Sequence, residues 1–89
     1  MDFVEITEIL EDYLIRGCIL YKSTNYMQKT VNYINTSTFS ININNHSYAN
    51  IKQALFLTEN NIVYLYLISN NEGEIKFSTN QIDSLEVVT

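Results

Sequence analysis

With a single cysteine, Cys18, the chain can form no internal disulfide, which fits a reducing cytosol. One cysteine and one histidine, His46, with no Cys-x-x-Cys and no second histidine, cannot make an ordinary zinc site. The two glycines, Gly17 and Gly73, stand alone, so there is no glycine-rich loop to cradle a phosphate. Glu72 and Glu74 flank a turn, but no calcium-loop spacing surrounds them. Only five basic residues, scattered from Arg16 to Lys76, stand against a net charge of −5. Binding to nucleic acid through phosphates needs clustered Lys and Arg, so that class is excluded. Tryptophan and proline are both absent.

Long apolar runs are missing as well. The longest, Ile62 to Ile68, is far too short to span a bilayer. Met1-Asp2-Phe3 followed by Glu5, Glu8 and Glu11 lacks the basic start and apolar run of a signal peptide. A cytoplasmic location is expected, and the Asn35-Thr36-Ser37 and Asn45-His46-Ser47 triplets read as chance matches to the glycosylation pattern.

What remains is a globular composition. Hydrophobic residues make up 46% and charged residues 17% of 89, the balance of a folded chain rather than a disordered one. The length allows one domain, residues 1–89, burying roughly 60–65% of the surface exposed when unfolded. The surplus of Asn, Ile, Tyr and Lys is what AT-rich coding DNA produces, pointing to a low-GC bacterium or its mobile elements.

Phe3, Ile6, Leu10, Tyr13 and Leu14 recur at helical spacing and predict a helix over Asp2–Arg16. Asp2 with Glu5 three residues on makes a capping-box start, and Gly17 sits where a stop would lie. Ile15 and Ile19, both β-branched, also suit an earlier strand start. The period then changes to two. Strands are expected at 18–22, 29–35, 38–43, 62–68, 74–78 and 85–88, with a polar loop at 23–28 and turns at 44–47 and 70–73. Ile51–Thr58 suits either a short helix or a strand, and the Glu59-Asn60-Asn61 turn favours the strand. The expected fold is α+β: an N-terminal helix packed on a small antiparallel meander, as an SH3-like or Sm-like barrel or a curved sheet.

Ile62–Ile68 is apolar on both faces, with Val63, Leu65 and Leu67 on one and Ile62, Tyr64, Tyr66 and Ile68 on the other. Each large apolar side chain buried contributes about 1.5–3 kcal/mol, so both faces need a cover. The helix stripe is the plain candidate; a second copy of the chain or another partner is the sharper one.

Asp2, Glu5, Glu8 and Asp12 fall along one side of the helix, and only Arg16, four residues after Asp12, is placed to offset them. Such a stripe reads plainly as a solvated face, and functionally as a docking surface for a basic groove. Tyr21, Tyr26, Tyr33 and Tyr48 suit a core or an interface better than base stacking, which also wants a basic groove. A catalytic pairing of Cys18 with His46 ranks last, since Cys18 lies in an apolar strand where a buried, inert thiol is expected. The leading expectation is therefore a non-enzymatic protein-binding module, an accessory or inhibitor protein of a phage or other mobile element. Glu5, Glu8 and Asp12 would steer a basic partner, with Tyr64 and Tyr66 as anchors. The alternative is a homo-oligomer that binds a small ligand. No cofactor, metal or membrane contact is expected.

Overall fold

The computed structural model describes residues 1–22, 27–70 and 73–89. Along them run α1 (Phe3–Tyr13), β1 (Ile15–Lys22), β2 (Met27–Ile34), β3 (Phe39–Ile43), β4 (His46–Glu59), β5 (Ile62–Ser69), β6 (Gly73–Ser78), one 3-10 turn (Thr79–Gln81) and β7 (Leu85–Val88). The expected loop at 23–28 and turn at 70–73 lie partly outside the described residues; Met27 and Gln28 belong to β2. No helix among the described residues is long and apolar enough to cross a membrane.

The start of α1 follows its residues. Asp2 caps it, its Oδ1 accepting from the Glu5 N–H at 2.9 Å while Glu5 Oε1 accepts from the Asp2 N–H at 3.3 Å. Its end comes earlier than the periodicity predicts. Leu14 is already extended (φ −123°, ψ 161°), and Gly17 lies inside β1 rather than at a helix stop. Ile15 and Ile19 are β-branched, and pairing of Ile15 with Ile34 draws the chain into the sheet before the helical pattern is exhausted.

The fold is α+β: one N-terminal helix and a seven-stranded antiparallel sheet that is not closed into a barrel. Its spine is β4, longer than expected because it begins at His46 and runs through the whole ambiguous 51–58 segment as strand. One edge of β4 pairs first with β3 and then, at Ala54 and Leu55 only, with β2. The other edge pairs with β5 from Ile51 to Glu59. Outermost lie β1 on β2, β6 on β5 and β7 on β3.

This arrangement gives β5 a cover on each side from its own chain. Leu65 and Leu67, opposite Phe56 and Ala54, pack with Ile6 and Leu10 of the helix, with Leu14 just after it, and with Tyr33, Ile41 and Ile43. Tyr66 and Ile68 pack with Leu55 and Leu57 on the reverse side, where Ile19 and Tyr21 of β1 and Tyr64 close over them. The β1–β2 hairpin curls far enough for the Tyr21 hydroxyl to donate to the Glu74 carboxylate of β6. The helix is thus one of two covers, and the second is a strand.

Candidate functional site

Glu5, Glu8 and Asp12 all lie exposed on α1, on the side away from the buried Ile6 and Leu10. Arg16 pairs with Glu11 at 3.2 Å, not with Asp12, because the helix has ended and β1 turns Arg16 back beside it. Tyr64 and Tyr66 lie elsewhere, on the reverse side of the sheet. Tyr66 is 7% exposed, and its hydroxyl donates to Glu59, a buried carboxylate that also accepts from Lys76 Nζ at 2.8 Å. Lys76 Nζ stands 4.2 Å from the centre of the Tyr64 ring. The structure therefore brings the three acids together and separates them from both tyrosines. Tyr66 serves the fold, as a hydrogen-bonded member of the reverse core.

Cys18 is exposed, not buried: it faces the helix side of β1, opposite Val31, where α1 does not reach over it. His46 opens β4 opposite Ile43, at the far end of that strand from its junction with β2. Among the described residues no three His, Cys, Asp or Glu side chains cluster as metal ligands.

The neighbourhood of Cys18 is a feature that sequence periodicity does not reveal. Main-chain pairing between β2 and β4 stops after two residue pairs, and the strands then splay. Side chains stitch the gap: the Gln28 amide donates to the Thr58 carbonyl at 2.7 Å and accepts from the Thr58 N–H at 3.1 Å, while the Thr30 hydroxyl donates to the Phe56 carbonyl. The splay leaves a groove of about 630 Å³ with Cys18, Val31, Phe56 and Val63 in its lining and Phe3 at the N-terminal end of α1. Phe3 meets Phe56 edge-on, ring centres 4.7 Å apart, yet stays 42% exposed. Outward along the hairpin on this same side come Leu20 and Met27, each 60% exposed, alternating with Lys29 and Lys22. The polar rim groups Gln28 and Thr30 are already engaged with β4, which leaves Lys29 as the charged group at the groove. A second cleft of about 450 Å³, between Asn42, Asn45, Ser47, Ser84, Leu85 and Glu86, is polar and holds one titratable group.

No protein-family model, curated protein or solved structure matches the chain. The chemistry must therefore be read from its groups alone. Burial and the Glu11 carboxylate, 3.2 Å from its hydroxyl, push Tyr33 up to about 12, and burial and Glu74 push Tyr21 to about 12. Both phenols stay neutral and act as donors to carboxylates. Neither lines the groove, although the Cys18 thiol is near enough to Tyr33 to add to its upward shift. The groove is lined by apolar side chains with Lys29 at its rim, and α1 contributes Phe3 to it, the acids of the helix lying outside the lining.

Proposed function

We propose that the chain is a non-enzymatic protein-binding module that docks through the exposed acidic face of α1 and the apolar groove beside it. An accessory or inhibitory role in the cytoplasm of a low-GC bacterium, on behalf of a phage or other mobile element, is the setting we propose. The observation that carries this reading is the groove of about 630 Å³ left open between Phe3, Cys18, Val31, Phe56 and Val63. Large apolar side chains left in water next to an organised charge pattern mark interaction surfaces. In this reading Glu5, Glu8 and Asp12 steer a basic partner. The anchoring role moves from Tyr64 and Tyr66 to Phe3, Leu20 and Met27, because Tyr66 is buried and these three are not.

Affinity capture from cell extract, run with the chain and with its Glu5→Lys/Glu8→Lys/Asp12→Lys variant, tests this. A single protein recovered in stoichiometric amount by the first, and at least tenfold less by the second, is the expected result. Equal recovery by both contradicts docking through the acidic face, as does recovery by neither from a chain that also stays monomeric. All three positions are exposed, but Glu5 closes the capping box of α1, so circular dichroism checks the fold of the variant. Glu8→Lys/Asp12→Lys, which leaves the cap intact, is run beside it with the same expected loss.

A further inference from the structure

The charges of this chain are sorted in space. Of its five basic residues, Arg16, Lys22 and Lys29 all lie on the side of the β1–β2 hairpin that faces α1. Arg16 is held by Glu11, whereas Lys22 and Lys29 are exposed and make no ion pair among the described residues. Glu5 and Glu8 are exposed on the outer side of α1, likewise without an ion pair among the described residues. Between the acids and the lysines lie Phe3 at the end of the helix and the apolar floor of the groove, whose rim includes Lys29; Leu20 and Met27 are interleaved with the two lysines.

A surface that is acidic at one end, apolar across the groove floor and lysine-bearing at the other end, with Leu20 and Met27 between its lysines, is complementary to its own image turned by a two-fold axis through the groove. An isologous contact needs this property, since each patch meets its counterpart on the second copy. We infer that a second copy of this chain occupies the groove, with Glu5 and Glu8 of each protomer meeting Lys22 and Lys29 of the other across a shared apolar centre. The inference rests on the reading of this face as a docking surface and names its occupant. A partner that is basic throughout would satisfy the acids but meet Lys22 and Lys29 with like charge, and a second copy satisfies both ends. A standard interface takes about 800 Å² from each partner, roughly a seventh of the 5408 Å² surface of the chain.

Charge reversal tests the pairing directly. Sedimentation of the 10.4 kDa chain at rising concentration should approach twice that mass. Glu5→Lys/Glu8→Lys alone should remain monomeric, as should Lys22→Glu/Lys29→Glu alone, because each variant meets its own kind with like charges at both ends. An equimolar mixture of the two variants should recover the doubled mass, since every reversed acid then faces a reversed lysine. Alkylation of Cys18, the sole thiol, should slow in parallel wherever the mass doubles, because the groove closes over it. A parent chain that stays monomeric up to millimolar concentration overturns the inference, as does a dimer indifferent to either reversal or a mixture that fails to associate. A monomeric parent whose acidic face still captures another protein would sink the second copy while leaving the docking surface in place.

Discussion

Asn44, Asn45, Asn60 and Asn61 all take left-handed backbone, with φ of 52°, 67°, 52° and 66°. Two adjacent positive φ values make the turn whose twist matches that of the flanking strands, and Asn tolerates them better than any residue except Gly. The two pairs are not equivalent. The Asn44 side chain also clamps the approach to β7: Nδ2 donates to the Gln81 carbonyl at 2.9 Å, and Oδ1 accepts from Asp83 N–H at 2.7 Å and Ser84 N–H at 3.2 Å. Asn61→Gly should therefore raise stability by about 0.5–1 kcal/mol, by removing the residual cost of a side chain in this region. Asn44→Gly should lower it by about 1–2 kcal/mol, because three hydrogen bonds go with the side chain. Urea denaturation of both variants checks the pair, and equal effects would show that the clamp contributes nothing. The turns were legible as Asn-rich breaks between apolar runs. The clamp was not, because Asn44 meets residues 81–84 only once β3 and β7 have paired. Asn32 is a second residue with no sequence signal: it is buried, and its Oδ1 has no hydrogen-bond partner among the described residues, an arrangement that costs about 1–3 kcal/mol.

Among the elements, β1 departs most from its expectation. Its side-chain alternation was legible, and its early start was open as the alternative that β-branched Ile15 and Ile19 suggest, but its curl and its role as a cover were not legible. Local pattern carries the helix on to Arg16, and pairing of Ile15 and Arg16 with β2 overrides it. Nor can a period-two pattern show that Ile19 and Tyr21 close over Tyr66 and Ile68, because the contact joins residues far apart in the chain. The two-faced strand Ile62–Ser69 shows the opposite case: its need for two covers was plain from composition, and only the identity of one cover was missing. Tyr21 and Tyr33 tie β1 to β6 and β2 to α1 through Glu74 and Glu11. Both phenols are raised from 10 to about 12, so between these values the folded chain holds protons that the unfolded chain has lost. Their contribution to stability is complete below about pH 10 and is lost as pH climbs toward 12. Denaturation midpoints measured from pH 9 to 12 should fall across that window, and less steeply in Tyr21→Phe. A midpoint flat over the whole window would contradict the two tethers.

For the molecule as a whole, the decisive fact is how its apolar surface is shared out. The strand that most needs cover finds it on both sides within one chain, from α1 and from β1. The contact surface we propose accordingly lies where β2 and β4 splay, where Phe3, Leu20 and Met27 remain in water near the acids of α1 and the lysines of the hairpin. Sequence showed the acidic half of that surface as a helical stripe. It hid the other half, since Lys22 and Lys29 look scattered until β1 and β2 pair and place Leu20 opposite Lys29 and Lys22 opposite Met27.

Site-resolved amide exchange at micromolar and millimolar protein concentration tests this division of labour most directly. Amides of Ile62–Ser69 should be the slowest and indifferent to concentration, because their cover is intramolecular. Those of Ile15–Lys22 and Phe3–Tyr13 should slow as the concentration rises and the groove closes against a second copy. Protection of Ile62–Ser69 that itself depends on concentration, with β1 and α1 unchanged, would contradict the account.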